Sequence, residues 1–172
     1  MCHSLVGSEM CIRDSSYLDE IVGSLTQKLK EINQFENTII MFTSDNGVTH
    51  LDQVDRGFFN SSAMFSDNVD MVKGSLFEGG IRVPSFVTWP RKIKEGSFSN
   101  HISSTQDFYA TILDLFKIKK PNHITGLSFL PTLLGKKQNK HEYLYWETNS
   151  RQGQQALRMD KWKACLLYTS DA

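Results

Sequence analysis

Asp45 and Asn46 are the first residues in this chain whose types suggest chemistry. They sit in the string Ser44-Asp45-Asn46-Gly47, directly after the apolar, β-rich run 38–43. A carboxylate beside an amide oxygen suits a hard cation such as Ca²⁺ or Mg²⁺, which prefers oxygen to sulfur or imidazole. The same four residues also make a good turn, because Asp and Asn bond their own backbone and Gly accepts positive φ. Lys73, placed beside Gly74, is the second candidate. Its ammonium can hold an anionic oxygen and offset negative charge developing in a transition state. His50, three residues after Gly47, is a candidate ligand contact or proton carrier, and equally an incidental loop histidine. Glu78 and Arg82 are expected to pair structurally, and His101, before a helix, to be structural. His3, His123 and His141 stand in no informative context, and Asn60-Ser61-Ser62 is a weak glycosylation match.

The elements that position these residues follow from apolar spacing. Residues 17–34 carry Ile21, Leu25, Leu29 and Ile32 at helical intervals, which predicts a helix packed on a sheet. The run 38–43 does not alternate and is expected to be a strand buried on both faces, as in a parallel sheet with helices either side. Its carboxyl end is where such sheets bind ligands. The polar stretch 48–70 is longer than an idle loop usually is, and it contains Asp52, Asp55, Arg56, Asp67 and Asp70 around Phe58-Phe59-Asn60. It leads to residues 73–84, where Gly79-Gly80 permits a sharp reversal or a close backbone approach, and then to a strand over 83–89 closed by Pro90.

Further on, residues 105–118 place Phe108, Ile112, Leu115 and Phe116 at helical spacing. Asp107 falls in the first turn of that helix, where a carboxylate suits the dipole. Residues 127–134 form a short apolar helical turn, 142–148 alternate as a strand does, and 155–159 with 162–167 form a hairpin about Asp160-Lys161. No internal repeat or linker divides the chain.

Composition narrows the class. The 172 residues carry 19 basic and 19 acidic side chains and a formal net charge of zero, so nucleic acid is not an expected partner. The lysines of 117–120 and 136–137 have no interleaved aromatics and fit a solvated face. No apolar run is long enough to span a membrane, and no signal peptide is legible. The strings 1–15 and 165–172 look like translated adapter or vector sequence, which leaves 16–164 as the interpretable domain. All three cysteines, Cys2, Cys11 and Cys165, lie in those end segments, so cysteine usage says nothing of redox compartment.

Asp19-Glu20-Ile21-Val22-Gly23, the string 37–47 and the string 73–84 occur in an order and spacing that resemble the sulfatase family, the arylsulfatase type in the alkaline-phosphatase-like superfamily. Residues 107–113, 126–134, 144–147 and 156–163 continue the similarity. The resemblance implies the carboxyl-terminal part of a catalytic domain. Its fold would be an α/β sandwich with a mixed, mostly parallel central sheet flanked by helices, ending in an antiparallel hairpin. It implies a hydrolase that removes sulfate from an organic ester, using one Ca²⁺ and a formylglycine made from cysteine or serine. Asp45 and Asn46 match the family's later pair of calcium ligands, and Lys73 matches the lysine that contacts sulfate and helps the leaving oxygen depart. His50 resembles a histidine found in part of the family. A sulfated small molecule or sulfated polysaccharide is the implied substrate, and the periplasm or the cell exterior the implied location. Oligomeric state is not implied.

The nucleophile motif, Cys or Ser followed by x-Pro-x-Arg, is absent from this sequence. The polypeptide by itself is therefore expected not to turn over sulfate esters. A phosphodiesterase or phosphonate hydrolase of the same superfamily is the alternative, although Asn46 argues for calcium over the softer metals that imidazole suits. A non-catalytic binding module is a third possibility.

Overall fold

The computed structural model describes residues 3–49 and 71–167. The first helix, α1, runs His3–Glu31. It ends in a Schellman-type closure: Asn33 adopts φ 56°, Gln34 N–H donates to the Leu29 carbonyl (2.8 Å), and Asn33 N–H donates to Lys30 (3.0 Å). The expected stripe is present, but Ile21, Leu25 and Ile32 are exposed, and among the described residues the main packing of α1 is on the short 3₁₀ turn Phe35–Asn37. No sheet covers it among the described residues.

Strand β1 is Ile40–Thr43 and pairs antiparallel with β2, Ser85–Thr88, in the register Ile40↔Thr88 to Thr43↔Ser85. The sequence led to a different expectation, a strand buried on both faces of a mostly parallel sheet. In the structure the cross-strand partners Phe42 and Phe86 are both exposed, Phe86 at 66%. The physical reason is the ribbon itself: two strands bury neither face without a helix or further strand laid over them.

Between the strands lies α2, the single turn Glu78–Ile81. After β2 come α3, Gln106–Leu115, and α4, Leu130–Leu133. Both end in the same closure as α1, with Lys117 and Gly135 left-handed at φ 55° and 65°. The three-stranded sheet β3 (Leu144–Thr148), β4 (Gln154–Met159) and β5 (Trp162–Leu167) is antiparallel throughout. Asp160, at φ 49°, makes the β4–β5 turn that the sequence assigned to Asp160-Lys161.

The core forms where these pieces meet. Ala110 and Leu113 of α3, Phe129, Leu144 and Ala156 are buried, together with Val72 and Leu76 from the segment before α2. Phe108 meets Phe129 edge to face at 5.2 Å. One face of the three-stranded sheet supplies Leu144, Gln154 and Ala156 to this core. The other shows Tyr145, Leu157, Met159, Trp162 and Leu166 to solvent.

Candidate functional site

The carboxyl end of β1 carries the candidate ligands. Thr43 Oγ1 donates to the Pro84 carbonyl (2.9 Å), and Ser44 Oγ donates to the Asn46 carbonyl (2.8 Å), which fixes the turn as the strand ends. Asp45 is exposed and Asn46 half-buried. Gly47 then passes so close to α2 that a Cβ there would overlap the Gly79 carbonyl. Its N–H donates to the Gly80 carbonyl at 2.8 Å. Gly80 in turn lies against the Ser75 and Val72 carbonyls, leaving no room for a side chain. The Gly79-Gly80 pair thus serves close approach, one of its two expected uses, and it does so inside a helical turn.

The lysine turn is tied to the same place. Lys73 N–H donates to the Val48 carbonyl (2.9 Å), and Ser75 N–H donates to Val72 (2.9 Å), with Gly74 at φ 86°. Two backbone hydrogen bonds, Gly47 to Gly80 and Lys73 to Val48, therefore join the Asp45-Asn46 turn and the Lys73 turn at one edge of the ribbon. Lys73 is exposed there. His50 and the acidic stretch that follows it lie outside the described residues.

Two of the expected metal ligands are thus held beside an expected anion-binding lysine. Their donors, a carboxylate and an amide oxygen, fit a hard cation of the Ca²⁺ type, which takes six to eight oxygens. No three His, Cys, Asp or Glu side chains converge on one point among the described residues. The turn would therefore be one portion of a coordination shell.

Behind this edge stands a cluster of ion pairs that the sequence indicated only in part. Glu78 and Arg82 pair at 3.7 Å, as expected. The closer partner is Lys163 of β5, whose Nζ lies 2.9 Å from Glu78 Oε1, and Arg158 of β4 lies 3.5 Å away. Burial alone would raise the Glu78 carboxyl, but the hydrogen bond and charge of Lys163, then Arg158 and Arg82, outweigh it and hold the group below its ordinary value. Gln154, 5% exposed, accepts the Leu76 N–H on its Oε1 at 2.9 Å.

A second cluster lies deeper. Asp107, expected only to complement the helix dipole, is fully buried and accepts the N–H groups of Ser104 (2.7 Å) and Leu127 (2.8 Å). His141, which the sequence placed in no informative context, puts Nε2 2.9 Å from both Asp107 oxygens. His101 also belongs here: its Nε2 is buried with no hydrogen-bond partner among the described residues. Burial lowers its pKa, the Asp107 charge opposes that shift, and His141 and Lys140 add to it. Asp107, in the first turn of α3, thus ties residues 104, 127 and 141 together.

The sequence profile described as "Sulfatase" matches residues 11–118, and that described as "N-sulphoglucosamine sulphohydrolase, C-terminal" matches residues 70–171. The N-acetylgalactosamine-6-sulfatase of Mus musculus is 31% identical over 135 residues, covering 77% of this chain and 25% of the mouse protein. A protein solved with its substrate D-glucosamine-2-N,6-O-disulfate superposes with a TM-score of 0.67 at 26% identity, over 88% of this chain and 30% of the other. Another, solved with k-i-k-neocarrahexaose, gives 0.70 at 31% identity, over 86% and 31%. The chain spans about a quarter of the length of the curated relatives it matches.

Proposed function

Because this chain belongs to the sulfatase family, we propose that it is the carboxyl-terminal part of a sulfuric ester hydrolase that cleaves sulfated saccharides. The observation that carries this reading is the pair of backbone hydrogen bonds, Gly47 to Gly80 and Lys73 to Val48, that sets an oxygen-donor turn beside a lysine turn. Within the full-length enzyme, Asp45 and Asn46 would supply two oxygens to a Ca²⁺, whose charge would stabilise the oxygens of a bound sulfate ester. Lys73 holds a sulfate oxygen as a point charge and assists departure of the leaving oxygen. His50 is proposed as a ligand contact or proton carrier of that site. The formylglycine nucleophile that the family implies lies in sequence beyond this chain. The finer architecture is also part of this reading: β1 and β2 join a mixed, mostly parallel central sheet whose remaining strands come from elsewhere in the enzyme, with α1 laid against it. Export to the periplasm or the cell exterior is proposed with it. The segments 1–15 and 165–172 are proposed to be foreign to the gene.

Saccharide sulfates are favoured as substrates by the relatives, whose names and bound molecules are N-acetylgalactosamine-6-sulfatase, a glucosamine disulfate and a neocarrahexaose. The test uses the full-length enzyme. Asp45→Ala and Lys73→Ala are each expected to lower kcat/KM for a sulfate monoester by about 10²-fold or more, the scale of losing one preorganised electrostatic contact. Asp45→Ala should also weaken Ca²⁺ binding read directly by calorimetry. Full activity in either variant, or faster turnover of a phosphate diester than of any sulfate ester, would refute the assignment. The 172-residue chain by itself is expected to show no turnover.

A further inference from the structure

The segment that links the two turns of the candidate site is held by the carboxyl-terminal sheet through side chains that bind Leu76 and Glu78. Gln154 of β4 accepts the Leu76 N–H at 2.9 Å, three residues from Lys73. Lys163 of β5 and Arg158 of β4 bind Glu78, the first residue of α2, at 2.9 and 3.5 Å. From α2 the Gly80 carbonyl receives the Gly47 N–H, which closes the Asp45-Asn46 turn. One two-stranded hairpin thus grips the segment 76–78 at two points, with the lysine turn on one side of the grip and the ligand turn on the other.

The burial of these contacts gives them leverage. Gln154 is 5% exposed and the Lys163 side chain 15%. Ala156, two residues on along the same face of β4, is buried with Gln154 at 2% exposure. The Leu76 N–H, on a buried residue, has this amide oxygen as its acceptor, and withdrawing that acceptor strands a polar group away from water. The loop would shift to reach another acceptor, and Lys73 would move with it.

We infer that Gln154, with Lys163, is a positioning residue that sets Lys73 against the leaving oxygen of the sulfate ester. The inference rests on the sulfatase reading of Lys73, and the experiment separates the two. In the full-length enzyme, kcat/KM is measured for a series of aryl sulfates running from 4-nitrophenyl sulfate, whose leaving group needs little help, to phenyl sulfate, whose leaving group needs much. Lys73→Ala should cost more as the leaving group worsens. Gln154→Met should show the same slope at smaller size: about 10-fold or more for phenyl sulfate, within the roughly 10²-fold that a 1 Å misplacement can cost, and under about 3-fold for 4-nitrophenyl sulfate. Gln154→Glu, which keeps an acceptor oxygen for the Leu76 N–H, should recover most of the loss. A role in folding alone would scale all substrates equally.

A steep slope for Lys73→Ala with a flat one for Gln154→Met overturns this inference and leaves the function standing. No effect of Lys73→Ala overturns the function instead. If Gln154→Met does not yield folded protein, Lys163→Met tests the second grip of the same hairpin, at Glu78, and a flat slope there refutes the inference equally.

Discussion

The buried Asp107 offers the most quantitative test of what holds this part of the molecule together. It is 0% exposed and accepts three hydrogen bonds, from Ser104 N–H, Leu127 N–H and His141 Nε2. Asp107→Ala leaves three donors without their acceptor. At about 1–3 kcal/mol for each stranded donor, the loss is roughly 3–9 kcal/mol, with the lower half favoured because the donors are only part-buried, and that is a large part of the about 5–15 kcal/mol that typically stabilises a domain. His141→Ala removes one of the three contacts and leaves the carboxylate with two backbone donors. Its expected cost is about 1.5–3 kcal/mol, the range for a hydrogen bond to a charged group. The double variant should be no worse than Asp107→Ala by more than the packing of the imidazole. A coupling of roughly 1–2 kcal/mol is therefore expected from the cycle, well above the ~0.3–0.5 kcal/mol scatter of independent sites. The assay is urea unfolding of the four proteins in the full-length enzyme, followed by tryptophan fluorescence. Additivity of the two single effects, or a fully stable Asp107→Ala, would refute the structural role given to this pair.

Three further outcomes follow from named contacts. Gly47→Ala puts a methyl group into the Gly79 carbonyl. It should cost about 1–3 kcal/mol, as overpacking does, and weaken Ca²⁺ binding in the same protein, whereas unchanged Ca²⁺ affinity would detach the ligand turn from α2. Glu78 has a folded-state pKa depressed below its unfolded value, so its stabilisation is present above about pH 4.5 and is lost as pH falls through the folded value. Glu78→Gln should flatten the acid limb of the stability curve, and an unaltered limb would count against the Lys163 and Arg158 pairing. His101 has a depressed pKa as well, with burial as the first cause. The folded state holds it neutral, so full stability is present above its ordinary value near 6.5 and is lost as pH falls from there toward the folded pKa. His101→Leu should remove that part of the acid sensitivity without lowering stability at pH 8, read from thermal unfolding at both pH values.

Several elements were legible because their causes are local. The hairpin about Asp160 follows from alternation and a turn residue, and α3 from apolar spacing with an acid in its first turn. The string Ser44 to Gly47 announces a turn with oxygen donors in any context, because Asp, Asn and Gly have those capacities in isolation. The family resemblance rests on the same kind of information, types and order along the chain. By contrast, the apolar run 38–43 could not state its own surroundings. A continuous apolar strand is compatible with any partner that covers it, and among the described residues its partner is antiparallel β2 with Phe42 and Phe86 in solvent.

What only the tertiary structure decided is which residues meet across long stretches of sequence. Asp107 and His141 are 34 residues apart, Leu76 and Gln154 78, and Glu78 and Lys163 85. A lone histidine after Lys140, or a glutamine beginning a strand, carries no local mark of such a contact. The sequence determined the chemical capacities of Asp45, Asn46 and Lys73 and the family they resemble. Folding determined that Gly47 and Gly80 touch, that Lys73 hangs from Val48, and that a distant hairpin grips the segment between them. The physical reason is that a side chain's charge and hydrogen-bonding groups are fixed by its type. The partner that satisfies them is fixed by packing, a property of the whole chain.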